Sequence, residues 1–232
     1  MQRQFDPATP ELMDRPQPVT PELERDLHNL RELNRYLGGH RIIRHFLRNW
    51  LQPHSSVKIV DLATASGDVP RLAVDFARST GARVQIDAID QQASSIEIAR
   101  ELSANYPEIA YHVTDIFAWG PPRSYDIVLC SLALHHFSDD DAVRVLRHTR
   151  ELSRAYVLVA DLRRGWLATL GVHLLTSVIY REPMTRVDAR VSAARAFSFA
   201  EMRNLAKRAG WQNFEHARFR FARQAIWMEN VN

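Results

Sequence analysis

Residues 57–72, VKIVDLATASGDVPRL, constrain this chain more than any other stretch. An apolar run stops at Asp61, passes through small residues to Gly67 and Asp68, and gives way to Val69, Leu72, Ala73 and Phe76 at helical spacing. That order predicts a strand, a tight turn and a helix, the first βα unit of a nucleotide-binding sheet. The small residues matter because a ligand presses against backbone N–H groups only where no bulky Cβ intervenes.

Downstream, strand and helix signals alternate. Residues 83–89 (RVQIDAI) predict a second strand ending at Asp90, followed by a helix over 94–104. Residues 109–113 predict a third strand ending near Asp115, and 125–130 (YDIVLC) a fourth that leads into SLALHHF. Ser138 with Asp139, Asp140 and Asp141 caps a helix running to about residue 152, and 155–160 (AYVLVA) is a fifth strand ending at Asp161. Ser198 and Glu201 form a capping box for a helix that stops at Gly210. Segments near 213–217 and 219–229 then complete the sheet as a hairpin. This alternation predicts an α/β fold with a mainly parallel sheet covered on both faces.

Two regions stand outside that pattern. Residues 1–52 read as a lead-in plus a helical extension, and 53–232 as the main domain with an insertion over 162–197. Pro7, Pro10, Pro16 and Pro18 make 1–19 a flexible or extended lead-in. Thr20, Pro21, Glu22 and Glu24 open a helix, with Leu23, Leu27, Leu30, Leu33 and Leu37 as its apolar stripe and Gly38-Gly39 at its end. A second helix over 40–51 turns Ile42, Ile43, Phe46, Leu47 and Trp50 inward and Arg41, Arg44 and Arg48 to another face. The insertion is longer than ordinary connections. Its core, 165–180 (GWLATLGVHLLTSVIY), carries no formal charge and is too short to span a bilayer. It is open to use as a substrate wall, as core or a homodimer contact, or as a weak membrane-surface contact.

Composition narrows the classes. At 232 residues and 46% hydrophobic content, one large core with an appendage is within reach. The net charge of +3 is spread along the chain with no dense basic face, so no nucleic-acid partner is expected. Cys130 stands alone and cannot form an internal disulfide, which points to a reducing, cytoplasmic setting. The opening residues lack the apolar core of a secretory signal. No local His/Cys/Asp spacing suggests a metal site.

Asp61, Asp90, Asp115 and Asp161 all stand at or near strand ends, and in an open α/β sheet ligands bind beyond those ends. Carboxylates there accept from ribose hydroxyls, an ammonium or an exocyclic amine. Asp90 follows Gly67 by roughly the 20-residue interval of a ribose-binding acid. A lone Asp at such a place more often caps a helix or ends a strand. Several in register are harder to assign that way.

With these residues in place, the sequence resembles the class I S-adenosylmethionine (SAM) dependent methyltransferases. That family opens with an apolar strand, an acidic residue and a GxGxG turn. Here the stretch runs Asp61-Leu62-Ala63-Thr64-Ala65-Ser66-Gly67, with alanine at the first two glycine positions. Alanine serves there provided the turn avoids positive φ at those positions. Asp90 matches the ribose-binding acid, with Gln91 beside it, and Asp115, Ile116 and Phe117 match the adenine pocket. Residues 125–137 (YDIVLCSLALHHF), with Ser131 and Leu132, look like the fourth-strand motif of the quinone-biosynthesis-like branch.

The resemblance implies a Rossmann-like seven-stranded sheet, mostly parallel with an antiparallel last strand, with helices on both faces. It implies SAM as cofactor, held by the residues just named. The activity implied is methyl transfer to an oxygen or activated carbon of a hydrophobic small molecule, phenolic, polyketide or quinone-like. His135 and His136 fall where the methyl should point and are candidate bases, one of them expected to be structural. His40, His45 and His173 are further candidates to reach the pocket. No Asn-Pro-Pro-aromatic motif follows the fourth strand, which argues against a base-modifying amino-methyltransferase. A dehydrogenase fits less well, because Ala63, Ala65 and Asp68 break G-x-G-x-x-G and put negative charge where a pyrophosphate would sit. A non-catalytic SAM-fold binding protein is the second class.

Overall fold

A computed structural model describes residues 2–166, 171–172 and 182–229. Its strands are β1 (Ser56–Leu62), β2 (Arg83–Asp90), β3 (Ile109–Val113), β4 (Tyr125–Ser131), β5 (Ser153–Leu162), β6 (Glu215–Phe219) and β7 (Arg223–Glu229). They form one sheet in the order β3-β2-β1-β4-β5-β7-β6. The strands from β1 to β5 pair in parallel, and β7 runs antiparallel to both β5 and β6. The predicted Rossmann-like sheet is therefore present. Strand order reverses between β1 and β4, which opens a crevice at their carboxyl ends.

The described helices are α1 (Pro21–Tyr36), α2 (Gly39–Trp50), α3 (Asp68–Thr80), α4 (Ala93–Leu102), α5 (Asp139–Leu152), α6 (Pro183–Arg195) and α7 (Phe199–Arg208). Side chains alternate across a strand, so β1 sends Ile59 to one face and Val60 to the other. Ile59 packs with Ile42, Phe46 and Leu47 of α2 and Leu72 of α3, while Val60 packs with Val145 and Leu146 of α5 and Leu205 of α7. Ile127 to Cys130 of β4 are buried throughout, as expected for a strand covered on both faces. The predicted helix starts hold: Thr20 accepts from the Leu23 amide, Ser138 from Asp141, and Ser198 with Glu201 closes a capping box. Among the described residues no helix is long and apolar enough to cross a membrane.

Three features differ from the sequence reading. The hairpin turns at 220–222, not near 218, with Phe221 and Ala222 at positive φ. The apolar/polar alternation runs straight through this turn without Gly or Pro, so nothing in the sequence marks it. Within the insertion, α6 was hidden because the side chains it buries are largely polar, among them Thr185, Asp188 and Ser192. Most of the insertion core at 165–180, proposed above as wall, contact or membrane patch, lies outside the described residues.

The third difference is the lead-in, which is extended but pinned. The Leu12 and Met13 amides donate to Asp188 at 2.7 and 3.0 Å, and the Gln4 amide donates to the Ala194 carbonyl at 3.1 Å. Arg3 donates to the carbonyls of Arg195, Phe137 and His135 and pairs with Asp139 at 2.9 Å, its guanidinium lying 3.8 Å from the Phe197 ring centroid. Residues 3–14 thus form a strap between α6 and the start of α5, ending in a short turn at Leu12–Asp14.

Under this strap, carboxyl groups are buried. Burial raises Asp188 to about 7 against the pull of two amide donors, and raises Asp26, which accepts from Thr185 at 2.7 Å, to about 6. An acid whose pKa is higher folded than unfolded binds more protons in the native state, so its contribution to stability falls as pH rises between the two values. The melting temperature should therefore decline from pH 4 toward pH 7 on account of this pair, and Asp188→Asn should flatten that decline, as read by calorimetry across the range. A melting curve that rises over this window in the wild type and is unchanged in the variant would contradict the assignment.

Candidate active site

The crevice is built on the turn between β1 and α3. The Thr64 amide donates to the Ile89 carbonyl at 2.9 Å and the Thr64 hydroxyl to Asp61 at 2.6 Å. Asp61 is buried, which pushes its carboxyl up to about 8 against the Thr64 bond. Asp90 accepts from the Ala65 amide at 2.8 Å and the Gln92 amide at 2.9 Å, which fixes the end of β2 to the turn.

The condition set for alanine in this turn is not met. Ala63 has φ 57° and Ala65 φ 47°, both in the left-handed region where a Cβ is strained. Leu132, after β4, shares it at φ 56°. Gly67, at φ 72°, is required for a different reason: a Cβ there would stand 2.2 Å from the Tyr111 hydroxyl. Tyr111 bonds Ser103 at 2.8 Å and covers that glycine, so Gly67 shapes the turn from below and does not line either cavity.

Two cavities meet over the turn. The larger, about 490 Å³, is lined by Asp90, Gln91, Asp115, Ile116 and Phe117 from the sheet side and by Phe5 and Pro10 of the strap. The smaller, about 170 Å³, is lined at its polar end by Asp61, Thr64, Ser131 and Arg223 and at its apolar end by Leu27, Leu30, Leu33 and Leu37 of the first helix and the residue after it. Ala63, Ala65, Leu132 and His136 line both, with Met13 of the strap above them. Three strained residues therefore converge on the junction, the usual location of retained strain.

At the junction the strap meets the histidine pair. His135 is 2% exposed; its amide and Nδ1 face Asp161 at 2.9 and 2.7 Å. Burial alone would lower this imidazole, but Asp161 and Glu11 outweigh it and raise it to about 10. His136 places Nδ1 2.7 Å from Asp14, and its pKa is also raised, Glu11 and Asp14 overcoming burial. Glu11, 3% exposed, is held by the Ser192 hydroxyl at 2.7 Å; burial raises it, the two imidazoles and Ser192 lower it, and it settles at about 2. The two histidines are proton-holding groups in this setting. The sequence reading also foresaw no gathering of metal ligands, yet Glu11, His135 and His136 place one ligand atom each within 4.8 Å of one another.

Of the predicted cofactor contacts, every one except Gly67 lines a cavity. Asp68 is not left bare: it accepts from Asn34 at 2.7 Å and faces His40 Nε2 at 2.8 Å. His40 is thereby committed to the α3 start. His45 packs edge-on against Phe46 on the outer side of α2, and His173 lies outside the described residues. Sequence reasoning missed Glu11, Asp14, Asn34 and Arg223. Asp14 and His136 are 122 residues apart, and the Pro-rich lead-in gives no periodicity from which its contacts can be read.

The donor set fits SAM. Carboxylates end β1 and β2, an apolar slot of Ile116 and Phe117 lies beyond, and Asp68 occupies the helix start where a phosphate cradle would need bare amides. The fold matches that of Rossmann-like methyltransferases. In agreement, the model of a methyltransferase domain matches residues 59–155. No curated protein matches the chain by sequence.

Among solved structures, a SAM-dependent methyltransferase from Aquifex aeolicus is similar at 13% identity and TM-score 0.64, covering 90% of this chain and 98% of that one. Human N-acetylserotonin methyltransferase in complex with SAM is similar at 16% identity and TM-score 0.64, covering 90% and 56%. The CurJ carbon methyltransferase is similar at 11% identity and TM-score 0.65, covering 90% and 60%. This chain thus spans little more than half of the last two. These likenesses are of fold, and the matched methyltransferase domain supports methyl transfer with SAM as cofactor.

The strained turn makes a direct prediction. Ala63→Gly and Ala65→Gly should each stabilise the protein by about 0.5–1 kcal/mol, the relief of positive φ exceeding the entropy glycine adds to the unfolded chain. Urea unfolding measures this, and a loss of stability in both variants would place the alanines outside the left-handed region.

Proposed function

We propose that the chain transfers a methyl group from SAM to an oxygen or activated carbon of a small hydrophobic acceptor, phenolic or quinone-like in type. The observation that carries this reading is the junction of the two cavities at Ala63, Ala65, Leu132 and His136. A cofactor lying across the turn would set its adenosine in the larger cavity and its methionyl arm at the polar end of the smaller one. Asp90 would accept from the ribose, Asp115 and Gln91 would face the adenine edge, and Ile116 and Phe117 its faces. Arg223, buried and with its Nε on the Leu37 carbonyl at 2.8 Å, would meet the methionyl carboxylate.

When bound, SAM supplies a methyl on a positively charged sulfur, open to in-line attack by the acceptor. Leu27, Leu30, Leu33 and Leu37 would hold the acceptor's ring and Met13 would exclude water above it. His136 would hydrogen-bond the acceptor oxygen while Asp14 fixes its other nitrogen. The smaller cavity, at about 170 Å³, is well under the roughly 300–1,000 Å³ of drug-sized pockets. That size favours a single-ring acceptor over an extended one.

A non-catalytic SAM-binding role is the second reading, favoured by the strained alanines in the cofactor turn. Calorimetry with SAM and with NAD, followed by mass spectrometry of candidate phenols, separates the cases. SAM binding with methylated product is expected; NAD binding without SAM binding would overturn the assignment, and SAM binding without any product would favour the second reading. Asp90→Ala should weaken SAM by about tenfold or more, since a hydrogen bond to a charged group is lost with the amide anchors. Leu30→Trp should leave SAM affinity intact and suppress turnover, and a variant with full turnover would remove the apolar end as the acceptor site.

A further inference from the structure

We propose that Glu11, His135 and His136 form a binding site for a divalent metal ion of the zinc type. Glu11 Oε1 lies 3.7 Å from His135 Nε2 and 3.8 Å from His136 Nε2. Both separations are too long for hydrogen bonds. They are the spacing expected of ligands around a shared ion: bonds of about 2.0–2.2 Å at angles near 110–120° set ligand atoms roughly 3.3–3.8 Å apart. His135 Nε2 provides the independent sign. It is buried, aimed into the cluster and makes no hydrogen bond, facing only Glu11 Oε1 at the ion-pair separation of 3.7 Å.

The groups behind the ligands are arranged as metal sites require. A ligating imidazole usually has its second nitrogen fixed by a carboxylate or carbonyl. Asp161 does this for His135 and Asp14 for His136, both at 2.7 Å, and Ser192 fixes Glu11 at 2.7 Å. Two imidazoles and one carboxylate favour a transition-type dication over magnesium or calcium, which take oxygen ligands, and binding it would release to solvent the protons these imidazoles hold without it. The surrounding Glu11, Asp14 and Asp161 exclude an anion. Three protein ligands leave a position open, and all three line the smaller cavity. With the ion bound, His136 Nε2 is a ligand and no longer meets the acceptor directly. An acceptor hydroxyl at the open position would release its proton to water more readily and attack as the oxyanion. This role rests on the methyltransferase reading; the binding of the ion does not.

The test uses the full chain, stripped with a chelator and titrated with Co2+, following visible d–d absorption, and with Zn2+, following bound metal by mass spectrometry. One equivalent of either ion is expected. Glu11→Gln, which keeps the side chain's shape, and His135→Ala should weaken Co2+ binding at least tenfold, and Asp161→Asn by roughly tenfold through His135. Cooperative melting of each variant checks its fold. Absence of stoichiometric Co2+ at submillimolar concentration in folded protein, or binding unmoved by Glu11→Gln, overturns the site. Metal binding in a protein that fails to bind SAM leaves the site standing and removes the methyltransferase reading, while SAM binding without metal does the reverse.

Discussion

Buried carboxylates at the carboxyl edge of the sheet are the constraint on which the structure depends. A charge taken out of water must find a partner, and the edge of a parallel sheet offers few. Each acid is answered by a different element. Asp61 is met by Thr64 of its own turn, Asp90 by the amides of residues 65 and 92, and Asp161 by His135. Asp68 is met by Asn34 and His40 from the first two helices, and Glu11 by Ser192 of α6. The helical extension, the strap and α6 are therefore parts of one electrostatic solution as well as packing elements. This also explains why the polar residues of α6 are buried and its apolar face is poor.

The strain in the turn sits beside one of these contacts. The Ala65 amide donates to Asp90 in a turn where Ala63 and Ala65 both stand at positive φ. Glycine would relieve it, and alanine instead adds methyl groups at the junction of the two cavities. The turn thus trades backbone ease for a narrower, more apolar passage between the two cavities. Tyr111 packs against Gly67 at the far end of the turn and leaves no room for a Cβ there.

Much of this was legible in the sequence because it rests on local signals. Strand runs, capping serines and acids at strand ends depend on neighbours within a few residues, and β1 to β5 and their helices fall where those signals lie. The cavity contacts at Asp90, Ile116, Phe117 and Leu132 follow, since a doubly wound sheet carries strand ends to one crevice. What escaped depends on distance or on the absence of periodicity. Glu11 and Asp14 sit in a Pro-rich stretch with no pattern, α6 buries Thr185, Asp188 and Ser192 where a helix normally buries apolar residues, and the turn at 220–222 lacks Gly and Pro. The alanine conformation escaped for a third reason: sequence shows a Cβ but not the φ at which it is held.

The two cavities draw on different parts of the chain. The larger cavity is built chiefly from residues between 63 and 141, all within the matched methyltransferase domain at 59–155, with strap residues such as Phe5, Pro10 and Asp14 closing it. The apolar end of the smaller cavity comes from Leu27, Leu30, Leu33 and Leu37, and Glu11, Met13 and Ser192 add to its lining from the strap and α6, all outside that domain. The histidine pair is the hinge between the two sets: its backbone belongs to the matched domain, while Glu11 and Asp14, which set its charge, belong to the strap. A change in α1 therefore reaches the smaller cavity alone, whereas a change in the strap reaches both, since Met13 lines each. The β1–α3 turn also lines both cavities, so any shift in it is felt in each.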